Sequence, residues 1–312
     1  MKVLITNRIP KKVLNAFTSF FDVDYHDDLS FMTKEEIIER GRDAEILLVP
    51  LSQKIDGSIM EKLKSLKLIL NYGAGFDNID LEGATKGGII VTNAPAKGST
   101  VATAELTLGL MIDLCRHITK RSADCYNGDF KGWKPSYALG ESLCGKRLGI
   151  LGLGRIGEEV ARKAEAFDME IVYWNRSERD VDYEALSFEE LIKTSDIITL
   201  HTAFHEELHH LIDGKAFSMM KKDAYLINAS RGPIVSEKAL INALKSGEIK
   251  GAALDVYEFE PQISEELKTL DNLLLSPHLG NATREAREEM GMMAFENAKA
   301  YLEGREIPYR VN

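Results

Sequence analysis

The 312-residue sequence predicts an α/β protein made of two doubly wound parallel-sheet domains, and three observations lead there. Short apolar runs alternate with amphipathic segments along nearly the whole chain. The alternation breaks at one long apolar helix and an irregular glycine-containing stretch, then restarts. The length also exceeds what one ordinary core fills and suits two domains. Strands that alternate with helices form a sheet covered on both faces, which requires parallel strands.

In chain order, strands are expected at 2–6, 23–25, 46–49, 68–71 and 89–92. Between them, Thr33 and Glu36 have capping-box spacing, and Asp56 and Asp80 stand where helix N-caps belong. A helix follows over 99–117. Its apolar residues Val101, Leu106, Leu108, Leu110, Met111 and Leu114 crowd most of the circumference, so it should be buried. Segment 127–145, with Gly128, Gly132, Pro135, Gly140 and Gly145, is the longest irregular piece, the kind that contacts a partner or a ligand. Strands resume at 147–151, 170–174, 197–200, 224–227, 251–254 and 273–275. Ser187 and Glu190 form a second capping box, Gly247 ends a helix, and a final helix over 284–302 should return to the first domain. The expected division is therefore 1–98 plus 284–312 around an inserted domain at 99–283.

Composition removes several classes of function. Lys and Arg number 39 against 49 Asp and Glu, a net charge of −10, and no dense basic patch offsets it, which disfavours a nucleic-acid partner. The most apolar stretch, 106–115, is broken by Asp113 and falls short of the roughly 18 residues of a membrane span. The opening Met-Lys-Val-Leu-Ile-Thr reads as a strand rather than a signal peptide. Cys115, Cys125 and Cys144 are odd in number and lack metal-ligand spacing, so reduced thiols in a cytoplasmic protein are expected, with no metal.

Gly152-Leu-Gly154-Arg-Ile-Gly157 lies between an expected strand and an amphipathic helix, the context in which G-x-G-x-x-G carries meaning. Gly152 permits the tight turn, Gly154 lets a pyrophosphate approach the backbone, and Gly157 lets helix and sheet pack closely. The end of the next strand usually carries an acid for the ribose hydroxyls, but here it reads Asn175-Arg176-Ser177. A neutral amide beside a guanidinium and a hydroxyl favours the 2′-phosphate of NADP(H), with NAD(H) still possible.

Three late motifs stand at strand ends, where α/β enzymes place their chemistry. Arg231, in Asn-Ala-Ser-Arg-Gly, is placed to clamp a carboxylate through two parallel hydrogen bonds. Asp255 ends an apolar run and is expected to point into the cleft, with Glu258 and Glu260 just beyond. His278, in Ser-Pro-His-Leu-Gly, sits in a stiff loop. Glu260 and His278 can pair, the carboxylate fixing the ring tautomer and favouring the charged imidazole as a proton donor. A proton donor, a carboxylate anchor and a nicotinamide are the parts that reduce a 2-keto acid. His26, His117, His205, His209 and His210 read as exposed or capping residues, without a metal-site pattern.

The chain resembles, over nearly its full length, the D-isomer-specific 2-hydroxyacid dehydrogenases. The resemblance rests on NYGAGFDNID (71–80), TNAP (92–95), ATAELTLGLM (102–111), GKRLGILGLGRIG (145–157), INASRGPIV (227–235), LDVYEFEP (254–261) and SPHLGNAT (276–283). It implies a Rossmann dinucleotide-binding domain inserted in a smaller flavodoxin-like substrate domain. It also implies that Arg231 binds the substrate carboxylate, His278 is the acid/base and Glu260 orients it. The backbone around Tyr72, Gly73, Ala74 and Gly75 would hold the carboxylate too. Thr103, Arg155, Ile156, Thr202, Ala203, Ala229, Ser230, Asp255 and Gly280 fall at cofactor-contacting positions. Members are commonly homodimers through the dinucleotide domain, which would occupy segment 127–145. Residues 128–140 and the Asn-Arg-Ser strand end look most like glyoxylate and hydroxypyruvate reductases. Two departures are Asn175 in place of the acid of NAD-linked members, and His201-Thr-Ala203 without the proline that often follows this histidine. The competing expectations are a D-lactate, 2-hydroxyisocaproate or 3-phosphoglycerate dehydrogenase, or a nucleotide-sensing module that would not need the whole acid/base set.

Overall fold

The computed structural model describes residues 1–177 and 179–312. The chain divides into two compact units, Met1–Ser99 with Asn281–Asn312, and Thr100–Gly280.

The first unit holds a five-stranded parallel sheet of β1 (Lys2–Ile5), β2 (Asp22–Tyr25), β3 (Ile46–Pro50), β4 (Leu68–Tyr72) and β5 (Ile90–Thr92), in the order β2-β1-β3-β4-β5. Alternate side chains leave its two faces, as the period of two in an extended chain dictates. Val3, Ile5, Ile46, Leu48, Leu68 and Leu70 meet the helices Lys11–Phe20 and Arg284–Leu302 through Val13, Phe17, Met290, Ala294 and Phe295. Leu4, Leu47, Val49, Ile69 and Val91 meet Ile37, Ile59 and Met60 on the opposite side. The Thr33–Glu36 capping box forms, and Asp56 and Asp80 accept from Ile59 and Gly83 as N-caps. The edge strand β5 is closed by the last residues of the chain. Thr92 bridges Arg310, and the Asn312 side chain accepts from Val91 N at 2.8 Å and donates to Ile89 O at 2.9 Å.

The second unit holds a seven-stranded parallel sheet of β6 (Arg147–Leu151), β7 (Glu170–Trp174), β8 (Glu184–Ala185), β9 (Ile197–Leu200), β10 (Tyr225–Asn228), β11 (Gly251–Leu254) and β12 (Leu273–Leu275). From one edge the order is β8-β7-β6-β9-β10-β11-β12, so the strand sequence reverses between β6 and β9. That reversal is the dinucleotide-binding topology, with its ligand crevice at the carboxyl ends of β6 and β9. One face packs Ile150, Tyr173, Ile197 and Ile227 against the helices Lys97–Arg116 and Arg155–Glu165. The other packs Leu151, Val172, Leu200 and Leu226 against Leu191, Phe217 and Leu240. The two sheets are the doubly wound parallel pair that the alternation predicts.

Among the elements that the sequence reading does not name, two carry a clear physical reason. Strand β8 is two residues long and wholly exposed, too short to carry a pattern. The helix Ile118–Tyr126 has no buried residue, so no apolar stripe announces it. It is separated from the long helix by His117, whose φ of 55° is left-handed.

The Ser187–Glu190 capping box sits on an exposed helix start, where Ser187 Oγ accepts from Glu190 N and the Glu190 carboxylate accepts from Ser187 N. Ser187→Ala is expected to lower unfolding stability by about 1 kcal/mol, read as a shifted urea midpoint with an unchanged slope.

Candidate active site

The glycine turn follows β6 directly. Gly152 has a φ of 98°, and a Cβ there would lie 2.6 Å from Thr202 Cγ2 and 2.8 Å from Thr202 N. A Cβ on Gly157 would sit 2.3 Å from Gly152 O, so only glycine lets the helix approach the turn this closely. Gly154 is the N-cap of the helix Arg155–Glu165, and nothing stands within 4 Å of where its Cβ would point. A cavity of about 200 Å³ opens beside the turn, walled by Gly152, Gly154, Trp174, Asn175, Arg176 and Thr202. The turn thus has open space over Gly154 and an eleven-residue helix whose first N–H groups are aimed at it, which fits a dinucleotide pyrophosphate. At the end of β7, Asn175 Nδ2 donates to Ser177 O at 2.8 Å. Arg176 is exposed and makes no ion pair among the described residues, whereas Arg179 is tied to Glu158.

Arg231, Glu260 and His278 all lie in the second unit, on the loops after β10, β11 and β12. Asn228, the last residue of β10, accepts from Ser230 N and Oγ and donates to Arg231 O at 2.9 Å, which fixes the turn. Arg231 Nη1 donates to Ser230 O at 2.9 Å. The next residue, Gly232, presses on the following loop so closely that a Cβ would fall 1.8 Å from Tyr257 O. Tyr257 in turn donates its hydroxyl to Ser276 O at 2.8 Å. The three loops therefore interlock through Gly232 and Tyr257.

His278 Nδ1 stands 2.6 Å from Glu260 Oε1, the pairing expected from the motifs, and both side chains are partly exposed. The histidine backbone is left-handed, with a φ of 54°, an uncommon conformation for a residue with a side chain. Asp255 accounts for how it is held. The carboxylate, on a residue 1% exposed, accepts from Ser276 Oγ at 2.6 Å, Leu279 N at 2.7 Å and Gly280 N at 2.8 Å. It therefore faces the histidine loop, not an open cleft as its place after an apolar run had suggested. A Cβ on Gly280 would lie 3.3 Å from both Asp255 Oδ2 and Thr103 Oγ1, which places Thr103 against the same loop. Ala229 and Ser230 are buried, Ile156 and Thr202 are partly buried, and Ala203 is exposed. Tyr72, Gly73, Ala74 and Gly75 lie in the first unit. There Ala94 N donates to Gly73 O, Asn93 Nδ2 to Ala74 O and Asn71 Nδ2 to Gly75 O, each within 2.7 Å.

Two features were not legible in the motifs. His210 Nε2 pairs with Glu258 Oε1 at 2.7 Å, and with His209 they set three ligand-type atoms within 4.8 Å of one another. His210 and Glu258 are 48 residues apart in the chain, so spacing could not reveal the group. Glu258 also exchanges hydrogen bonds with Glu237, each backbone N–H donating to the other's carboxylate, and burial raises the pKa of Glu237. His201, just past β9, has its Nε2 2.9 Å from Thr199 Oγ1, while its Nδ1 is out of solvent without a partner among the described residues. Burial pushes its pKa down to about 3, so the ring is neutral.

That neutrality gives a sign to the pH dependence. Between the unfolded value near 6.5 and the folded value of about 3, only the unfolded chain binds the proton, so stability falls as pH falls through this window. By pH 5 the loss is about 2 kcal/mol. In urea unfolding at a series of pH values, His201→Gln is expected to flatten the decline between about pH 6.5 and 5 relative to the parent chain.

Residues 108–280 match the model of the D-isomer specific 2-hydroxyacid dehydrogenase NAD-binding domain. A Staphylococcus aureus (strain MRSA252) protein named for the 2-hydroxyacid dehydrogenases is 44% identical, over all of this chain and 99% of its own. A Thermus thermophilus protein of known structure superposes with a TM-score of 0.95 at 39% identity, covering 100% of both chains. An NADPH-dependent glyoxylate/hydroxypyruvate reductase from Sinorhizobium meliloti, solved with NADP and malonate, superposes at 0.89 with 28% identity, over 99% of this chain and 96% of that one. With the glycine turn, the reversed strand order and these similarities together, the chain belongs to the D-isomer specific 2-hydroxyacid dehydrogenases, enzymes that bind NAD(P) and act on small hydroxy acids.

Proposed function

We propose that the enzyme reduces glyoxylate to glycolate or hydroxypyruvate to D-glycerate, with NADPH preferred over NADH. The observation that carries the chemistry is the 2.6 Å His278–Glu260 pair on a loop held by Asp255. Glu260 takes Nδ1 and leaves Nε2 as the nitrogen that delivers the proton to the carbonyl oxygen. Arg231 clamps the carboxylate. When bound, the nicotinamide supplies the hydride. Gly152, Gly154, Gly157, Arg155 and Ile156 hold the pyrophosphate, Thr103, Thr202, Ala203, Ala229, Ser230 and Gly280 line the remainder of the cofactor, and Asp255 acts there only through the Gly280 amide it accepts from.

The cofactor preference is supported by Arg176, exposed at the end of β7 beside Asn175 and Ser177, where NAD-linked proteins carry an acid. The S. meliloti relative, named as NADPH-dependent, supports both substrate and cofactor. A homodimer is supported by the segment after the long helix, where Tyr126 is 89% and Trp133 84% exposed, with Ile118, Phe130 and Leu139 also exposed. An apolar run of this kind on a monomer marks a contact surface. A reducing, cytoplasmic setting is supported by three free thiols, at Cys115, Cys125 and Cys144.

His278→Gln and Arg231→Ala are each expected to lower kcat/KM on glyoxylate by on the order of a hundredfold or more, while fluorescence titration shows NADPH binding intact. Near-parental turnover in both variants would overturn the roles assigned here. Arg176→Ala should raise the KM for NADPH about tenfold and leave that for NADH unchanged. Equal effects on both cofactors would remove the basis for the NADPH preference. Steady-state rates on glyoxylate, hydroxypyruvate, pyruvate and 2-ketoisocaproate rank the substrates, and the first two are expected to lead. Tyr126→Ser combined with Trp133→Ser should convert a dimer into a monomer in sedimentation velocity, and a parent chain that sediments as a monomer would refute the dimer.

A further inference from the structure

The first unit contains a cavity of about 470 Å³ whose lining residues all belong to that unit. It opens at the carboxyl ends of β1, β3 and β4, beneath Ile9, Pro10 and Leu29, with Arg287 at its wall. In the order β2-β1-β3-β4-β5, strand succession reverses between β1 and β3, and open α/β sheets bind ligands at that point. Arg231, Glu260 and His278 do not line this cavity, whereas Tyr72, which the family resemblance places at the substrate, does.

Its charge is one-sided. The lining includes two arginines and no carboxylate. Arg8 is already neutralised, its Nε donating to Asp27 Oδ1 at 2.8 Å. Asn7 is committed too, Nδ2 donating to Ser30 O at 3.0 Å. Arg287 is different. Among the described residues its side chain makes no hydrogen bond or ion pair, although the residue is partly buried and burial lowers its guanidinium pKa. Glu288, its neighbour on the helix, faces Lys12 at 3.5 Å.

The backbone that carries Arg287 is fixed in place. Tyr72, at the end of β4, donates its hydroxyl to Arg287 O, and a Cβ on Gly291 would lie 2.4 Å from that hydroxyl oxygen. The helix Arg284–Leu302 can therefore lie against Tyr72 and hold the guanidinium at the cavity. A half-buried guanidinium without a carboxylate is costly to keep and answers best to a planar anion that accepts two parallel hydrogen bonds. The remaining walls, including Ile5, Ile9, Leu29, Leu48 and Val49, are apolar.

We propose that this cavity is a second anion site, which takes the carboxylate of a small organic acid on Arg287 and its apolar body against Ile9, Leu48 and Val49. The test uses the full chain with Arg231→Ala, so that the carboxylate clamp assigned above is absent. Isobutyrate, the isosteric but uncharged isobutyramide, and inorganic phosphate are titrated by ligand-observed NMR. Isobutyrate is expected to bind this variant and to lose about tenfold or more in affinity when Arg287→Met is added. Isobutyramide should not bind, and phosphate should bind more weakly than isobutyrate for want of an apolar body. Circular dichroism confirms folding. Should Arg287→Met fail to fold, Arg287→Gln replaces it, and the isobutyrate–isobutyramide contrast needs no change at Arg287. The proposal is overturned if Arg231→Ala alone abolishes isobutyrate binding, if removing the Arg287 charge leaves it unchanged, or if the amide binds equally well. None of these outcomes depends on turnover, so the site and the reductase reading fail separately.

Discussion

A carboxylate with almost no exposure must have donors on every side, and Asp255 finds three donors in the five residues that carry His278. Removing any one of them would leave a buried charge undersatisfied, so the loop has little freedom to relax. The left-handed backbone of His278 is tolerable in that setting because neighbouring hydrogen bonds over-determine it. Orientation of the imidazole is then completed by Glu260. A chain of close contacts, from Gly232 to Tyr257 to Ser276, carries the same rigidity to the loop of Arg231. Positioning here comes from backbone geometry as much as from the side chains that do the chemistry.

Much of this was legible in the sequence because the signals were local. A strand followed by G-x-G-x-x-G and an amphipathic helix has few structural interpretations, and the structure supplies the reason for two of the glycines in the backbone atoms they touch. Capping boxes at Thr33 and Ser187 are read within four residues and form as expected. The pairing of Glu260 with His278 spans 18 residues, but each is anchored by its own strand end, so chemistry alone could join them.

Signals that span distance or carry no pattern were lost. Asp255 was placed correctly at a strand end yet given the wrong direction, because an acid after an apolar run says nothing about which neighbour it meets. The His210–Glu258 pair depends on two loops whose proximity only the tertiary fold creates. The helix Ile118–Tyr126 buries no residue, so its apolar side chains gave no core-facing stripe to read. Arg287 gave no sign at all in the sequence, since an arginine among the glutamates of an amphipathic helix looks like an ordinary solvated charge.

The tail that runs beside β5 has a consequence of its own. A parallel sheet ends in a row of open amide and carbonyl groups, a template to which a foreign strand can add. Here Arg310, Val311 and Asn312 occupy that row. Trimming those residues, or pulling on them with a short rigid fusion, would uncover a sticky border on an otherwise intact fold, and recombinant yield would suffer before activity did.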